Sequence, residues 1–389
     1  MVKRLLRALW WTLGAIVALL GAALLLDVLT YDAVAWRRDY ERLKVEMAQG
    51  YANLDWIARH RGLDLAALDA RTGDAIDNAH SRVRAFLALR AFVHAFNDPH
   101  LRFVAKEGDE PTSAPGEPAP VPIAASCEAE GYSTEDYDFE SPFAELPGWT
   151  RVSDNHFPTG IAGDLGVLRI SEFGEFRYFA VCQRAFAAGL TRRKLQLAVR
   201  AELQRDLTSA IGELRQRGAR RLLIDITGNG GGTEWVTEVV SLLTDKTLAR
   251  SSPRIVDPTC DRSGVWRGEQ ACDAFGPADP PDEVIGVGVW NGPLFILADE
   301  DTGSASEDFV VWLSENDVAT VLGQRTAGAG CGYVDGGGRI RLDAVHMDVM
   351  APNCARFLGD GTNEIEGLAP DVEIKRGDAA ALARALSIE

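Results

Sequence analysis

No lysine occurs between Lys246 and Lys375, histidine occurs only six times, and no two of the six cysteines stand as CxxC. That cysteine spacing excludes the common structural zinc sites. Cations are outnumbered: 40 Lys and Arg face 57 Asp and Glu, a formal charge of −17. A surface so poor in positive charge cannot displace phosphate counterions, so nucleic acid is excluded as a partner. A peripheral grip on anionic lipid is excluded for the same reason. The chain lacks a GxGxxG or P-loop sequence, a GxSxG serine elbow and any solenoid repeat. No metal and no cofactor are expected.

What is present is the balance of a folded globular protein, 46% hydrophobic and 25% charged over 389 residues, with room for two domains. Lys3, Arg4 and Arg7 precede an uncharged run of 19 residues from Ala8 to Leu26. As a helix this run spans roughly the 30 Å hydrocarbon core of a bilayer. Asp27, Val28 and Leu29 stand where a small-x-small cleavage site would be, so residues 8–26 read as an uncleaved anchor rather than a signal peptide. The basic flank stays cytoplasmic and the rest is exported, a single-pass topology with a periplasmic body. Arg37 and Arg38 beyond the run weigh slightly against that orientation.

Six cysteines fit an oxidising compartment. They are Cys127, Cys182, Cys260, Cys272, Cys331 and Cys354. Cys260 with Cys272 would close a short loop and Cys331 with Cys354 would staple two strands, though spacing leaves the connectivity open and buried free thiols are the alternative.

Residues 31–103 read as a helical subdomain; from Val83 to Phe96 the apolar positions recur at helical spacing, and Asn97-Asp98-Pro99 ends the run. Residues 104–160 form an acidic insert with Pro111, Pro115, Pro118, Pro120 and Pro122. Residues 161–389 alternate between strand and helix, which predicts an α/β core with a mainly parallel sheet. Strands are expected at Gly166–Ile170, Arg221–Ile226, Gly292–Ala298 and Thr320–Leu322, and helices at Lys194–Gln216, Trp235–Leu243 and Ser304–Ser314.

Four segments carry candidate chemistry. Asp225-Ile226-Thr227-Gly228-Asn229-Gly230-Gly231-Gly232 is a glycine turn between a strand and a helix. Its backbone N–H groups can serve a phosphate or an oxyanion, or the turn can be merely flexible. Asp301-Thr302-Gly303-Ser304-Ala305-Ser306-Glu307 joins another strand to a helix. Ser304 is a candidate nucleophile, but taken alone Ser304 and Glu307 read as a capping box. His100 lies in a turn after a helix, where an imidazole can act as a base. His60, His80 and His94 fall inside helical stretches, and His156 and His346 lack a recognisable setting. Glu364-Ile365-Glu366-Gly367-Leu368-Ala369-Pro370-Asp371 offers a carboxylate that can orient the base, or a plain acidic loop.

Together and in this order these segments resemble the C-terminal processing and tricorn-type serine peptidases. Asp225–Gly232 is similar to that family's D-x-R-x-N-x-G-G turn, with Thr227 in place of the arginine. Ser304-Ala305-Ser306-Glu307 matches S-A-x-E, Gly323–Gly328 matches G-x-x-T-x-G, and Glu364–Asp371 matches E-x-x-G-x-x-P-D. The resemblance covers roughly residues 100–374 without the insert. It implies a crotonase-like core, Ser304 as nucleophile, and an oxyanion hole from the N–H of Ala305 and of Gly230 or Gly231.

The processing branch uses a serine–lysine dyad, but the matching position here is Ala329. The tricorn-like branch uses histidine supported by glutamate, which His100 and Glu364 match. No segment reads as the PDZ-like module of many relatives, so the resemblance implies action on short or loosely bound peptides; the oligomeric state stays unknown. Two alternatives stand beside this. One is a non-catalytic carrier of apolar ligands, like the interphotoreceptor retinoid-binding proteins of the same fold group. The other is an envelope interaction protein using the proline-rich insert as an arm.

Overall fold

The computed structural model describes residues 2–106, 123–134, 139, 142–233, 235–269, 272–334 and 337–388. Pro111, Pro115, Pro118, Pro120 and Pro122 lie outside them. The described chain divides into two compact units, each built from separated stretches of sequence.

The first unit holds residues 1–108, 255–276 and 333–354. It begins with the helix Val2–Leu29, in which Trp11–Leu29 is long and apolar enough to cross a membrane, with a mean hydropathy of 2.3. None of that window is buried. Four helices follow, Ala33–Gly50, Leu54–His60, Leu65–Asp77 and Arg82–His94. Asp32, Asp64 and Ser81 cap three of them, each side chain accepting an N–H of the first turn. The helical stretch does not enclose its core alone. Trp266, from the 255–276 segment, packs on Phe92 with ring centres 5.6 Å apart and donates Nε1–H to the Lys44 carbonyl at 3.0 Å. Arg102–Ala105 pairs antiparallel with Met347–Ala351, which pairs in turn with Gly338–Leu342. Some seventy residues of amphipathic helix bury too little apolar surface to be self-sufficient, and these later segments supply the missing cover.

The second unit holds residues 109–254, 277–332 and 355–389 around a seven-stranded sheet. In spatial order its strands are Val372–Glu373, Ala319–Gly323, Leu294–Ala298, Arg221–Asp225, Leu165–Arg169, Thr159–Ala162 and Trp149–Ser153. The first five run parallel and the last two add on antiparallel. These two lie within or at the edge of residues 104–160, so the later part of the acidic region contributes strand to the sheet.

The parallel strands are buried on both faces, and their near-continuous apolar runs follow from that. Leu168, Leu222, Ile224 and Ile296 face one cluster with the helices Arg192–Gln216, Val236–Leu242 and Ala305–Ser314. Val167, Leu223, Leu297 and Leu322 face the other, closed by Phe143, Leu382 and Leu386. The turns after Asp225, Ala298 and Gly323 leave the sheet at the carboxyl ends of three neighbouring parallel strands, the edge at which open α/β sheets assemble sites.

Cys260–Cys272 forms a disulfide in the first unit and closes the short loop between them. Cys127 bonds to Cys182 in the second, a pairing of 55 residues' separation that spacing did not suggest. No cysteine among the described residues is free.

Candidate active site

Ser304 begins the helix Ala305–Ser314, and its backbone sits at φ 56° and ψ −121°. An ordinary N-cap residue occupies the extended region. A serine at positive φ is strained, and such strain persists only where surrounding structure enforces it. The enforcing group is Glu307. One of its carboxylate oxygens accepts the Ser304 N–H at 3.0 Å, which completes the capping box, and the Ala329 N–H at 2.7 Å. The other accepts the Thr326 hydroxyl at 2.5 Å and the Gly328 N–H at 2.8 Å. Glu307 is fully buried. Burial pushes its carboxyl up to about 7, against the downward pull of those donors and with Glu364 adding to the rise. Sequence reasoning took Glu307 for a helix cap alone; its second role, tying the serine turn to the 326–329 loop, depends on contacts about twenty residues apart.

The glycine turn packs directly under this serine. Gly231 lies at φ 110°, and a Cβ built on it would stand 2.7 Å from Ser304 Cβ and 2.8 Å from the Ala305 nitrogen. Only glycine allows that approach. The Gly231 N–H donates to the Asn229 side chain at 3.0 Å, whereas Gly230 is exposed. Ala305 is the first residue of its helix, where backbone N–H groups have no intrahelical acceptor. Ser304 and Ala305 are half-buried, so the serine stands partly open beside the first backbone N–H of its helix.

Thr227 occupies the position where the resembling turn carries arginine, and a guanidinium reaches the same turn from the next strand. Arg169 donates to Asp225 Oδ2 at 2.5 Å, to Thr227 Oγ1 at 3.1 Å and to the Thr227 carbonyl at 2.9 Å. Asp225 Oδ1 in turn accepts the Thr227 N–H and hydroxyl at 3.0 and 2.8 Å. Asp225 and Arg169 are both buried.

Glu364 opens a short 3-10 turn, Glu364–Glu366, capped by Asn363. It is 1% exposed. Arg356 donates to its Oε2 at 3.2 Å and to Asp308 at 2.8 Å, and Arg250 also pairs with Asp308. The other oxygen of Glu364, Oε1, is buried with no hydrogen-bond partner among the described residues. Gly330 backs it so closely that a Cβ there would stand 2.2 Å from Glu364 Cβ.

His100 belongs to the first unit. Its N–H donates to Asp98 Oδ1 at 2.9 Å, its carbonyl accepts the Tyr333 hydroxyl, and its ring meets the Tyr333 ring edge-on at 5.1 Å. Burial lowers its pKa below 6.5, with Asp98 opposing and Arg102 adding to the fall. His60 stacks on Trp56, His94 accepts from Arg90, and His156 contacts Asp206 at 3.0 Å, so these three have local partners of their own.

The sequence profile of peptidase family S41 matches residues 164–374, more than half of the chain. The chain belongs to peptidase family S41. The motifs of the Asp225 turn, the Ser304 turn and Glu364 pointed to serine peptidases of this kind. Among curated proteins it is 27% identical over 179 residues to carboxyl-terminal-processing peptidase 3, chloroplastic, of Arabidopsis thaliana. That stretch covers 44% of this chain and 29% of the plant protein, so the chain matches under a third of that relative's length. Among solved structures it resembles a putative peptidase from Parabacteroides merdae, with a TM-score of 0.56 at 14% identity over 91% of this chain and 97% of the other. It resembles mature CPAF with a TM-score of 0.58 at 13% identity over 88% and 92%. At such identities the likeness concerns the fold, a mixed α/β architecture.

The S41 match takes in the Asp225 turn, the Ser304 turn and Glu364, and leaves His100 outside it. Arg169, Glu307 and Gly330, which brace these turns, all fall inside the matched residues.

Proposed function

We propose that this S41 chain is a peptidase held on the outer face of a membrane by its N-terminal helix, cleaving peptide bonds through Ser304, His100 and Glu364 on a crotonase-like core. The observation that carries the reading is the strained Ser304, set against Gly231 and beside the Ala305 N–H. A helix cap alone does not require that backbone conformation.

In this reading the Ser304 hydroxyl adds to the substrate carbonyl carbon as the His100 imidazole takes its proton. The carbonyl oxygen becomes an oxyanion and is held by the N–H groups of Ala305 and Gly230. Gly231 walls that pocket, since its own N–H is committed to Asn229. Protonated His100 passes its proton to the leaving amine, and the C–N bond breaks to give a Ser304 ester. Water then adds with His100 again as base and releases the acid. Glu364 orients the imidazole and balances its positive form through Oε1, which has no hydrogen-bond partner among the described residues. Its second oxygen stays on Arg356.

The disulfides Cys127–Cys182 and Cys260–Cys272 support an extracytoplasmic body. The helix with its unburied apolar window supports the anchor. Short or loosely held peptide segments are the proposed substrates.

Detergent-solubilised full-length protein treated with a fluorophosphonate probe tests this reading. Labelling at Ser304, lost in Ser304→Ala, and turnover of a peptide library lost in the same variant are expected. A folded protein that takes no label and cleaves no peptide would favour a carrier of apolar ligands instead.

A further inference from the structure

His100 carries the proton in the proposed reaction, and the inference below rests on that reading. We propose that Asp98 and Tyr51 are positioning residues that hold His100 in its working orientation.

The Asp98 carboxylate is buried and divided between two donors. Oδ1 takes the His100 backbone N–H at 2.9 Å, and Oδ2 takes the Tyr51 hydroxyl at 2.8 Å. The bond to His100 closes a short turn of a kind common in loops, which an aspartate makes without help. The bond from Tyr51 is different. Tyr51 is 0% exposed and packs edge-on against Phe96 at 5.7 Å. A buried hydroxyl is costly unless it finds a partner, and here the partner is the carboxylate that holds the histidine. The other end of Tyr51 is fixed too, since its carbonyl accepts two guanidinium nitrogens of Arg262, each at 3.2 Å.

The remaining sides of the turn are held as well. Arg61 donates to the carbonyls of Phe96 at 3.0 Å and Asn97 at 2.9 Å. Tyr333 binds the His100 carbonyl and lays its ring against the imidazole. None of these bonds uses an imidazole nitrogen, so both stay available for a hydroxyl and a carboxylate. The backbone of His100 is thus fixed at its N–H and its C=O while the ring is left to react. Asp98, Arg102 and Tyr333 are the groups that face the imidazole. Of these three, Asp98 ties the His100 backbone to a second buried side chain, Tyr51, through a bond that one-atom changes can remove.

The test compares full-length Tyr51→Phe, Asp98→Asn, Asp98→Ala and His100→Ala, alone and with Tyr51 or Asp98 changed in the His100→Ala background. The readouts are kcat and KM for one peptide, the pH profile of kcat/KM, and folding by circular dichroism and Tm. Loss of orientation in a base costs on the order of 10- to 100-fold in rate. Tyr51→Phe should therefore lose about 10-fold in kcat and Asp98→Ala about 100-fold, with KM within about twofold in both. Asp98→Asn should fall between them, because its amide carbonyl still accepts the His100 N–H while its NH2 cannot receive the tyrosine proton. In the His100→Ala background neither change should lower the residual rate further, since coupled residues are non-additive.

If Tyr51→Phe fails to fold, Asp98→Asn carries the comparison. Wild-type kcat in folded Tyr51→Phe and Asp98→Asn, with His100→Ala inactive, overturns the positioning role and leaves the base in place. Equal losses with and without His100 overturn it also, by making the effect structural. A fully active His100→Ala protein overturns the base assignment itself.

Discussion

Arg169 reaches Thr227 from the neighbouring strand, donating to its hydroxyl at 3.1 Å and its carbonyl at 2.9 Å while pairing with Asp225 at 2.5 Å. The glycine turn under Ser304 is therefore braced by a guanidinium that lies 58 residues upstream of the threonine it holds. The pair with Asp225 is almost solvent-free, at 7% and 2% side-chain exposure. Breaking a buried pair leaves an uncompensated charge and costs roughly 3–5 kcal/mol. Arg169→Ala is expected to lose stability of that order in denaturant unfolding and to abolish fluorophosphonate labelling of Ser304 at temperatures where it remains folded. An Arg169→Ala protein with unchanged midpoint and labelling rate would remove the brace from the account. Thr227→Arg in the Arg169→Ala background should restore part of both, because it returns a guanidinium to the turn.

The turn itself was legible in the sequence, but its brace was not. Periodicity and punctuation placed the strands Arg221–Asp225 and Leu294–Ala298 and the helices Arg192–Gln216, Val236–Leu242 and Ala305–Ser314 to within two residues at the described ends where they differ. Those elements are specified by local apolar spacing and by caps such as Thr191. Arg169, Glu307 and Gly330 owe their roles to partners 19 to 58 residues away, and no local pattern encodes such pairing. The same limit hid the contribution of residues 255–276 and 333–354 to the first unit. Trp266 is an isolated aromatic until its contact with Phe92 is seen. The proline at 99 marked the end of a helix correctly, yet gave no sign that Asp98 before it was shared between Tyr51 and His100.

Glu307 makes stability depend on pH in a definite direction. Its folded carboxyl titrates near 7, above the ordinary 4.5. Below 4.5 both states hold the proton and the group adds no slope. As pH rises from 4.5 towards about 7 the unfolded chain releases its proton while the folded one keeps it, so stability falls across that window and levels off above it. The full change is about 3 kcal/mol at most. Glu307→Gln should flatten this slope in unfolding measured between pH 4.5 and 8 while lowering stability throughout, because an amide NH2 would confront two of the N–H donors that Glu307 now satisfies. A slope that survives the substitution would assign it to another group.

Gly231→Ala tests the wall of the oxyanion pocket. The added methyl would meet Ser304 Cβ at 2.7 Å and the Ala305 nitrogen at 2.8 Å, at a φ of 110° that alanine resists. Both partners belong to the helix start, so relief requires moving the serine and its neighbouring donor together. Displacing one oxyanion donor costs about 100-fold or more in kcat. That loss is expected with KM changed far less, measured on protein shown to be folded by its circular dichroism. Wild-type turnover in Gly231→Ala would mean that the contact is packing alone and that the oxyanion is held elsewhere.

The pH dependence of catalysis separates His100 from every other candidate base. Burial holds its imidazole below 6.5, and Arg102 pushes the same way while Asp98 opposes. A depressed histidine keeps its free lone pair to lower pH, so kcat/KM should remain on its plateau through pH 6.5 and fall only below it. Arg102→Gln removes a neighbouring positive charge and should shift that acid limb upward, towards 6.5, without changing the plateau rate by more than about twofold. Stability linked to the same group moves in the matching sense: as pH falls through 6.5 the unfolded imidazole takes up a proton that the folded one refuses, and folding weakens. An acid limb centred at or above 6.5, or one unmoved by Arg102→Gln, would show that the group titrating in turnover is not this histidine.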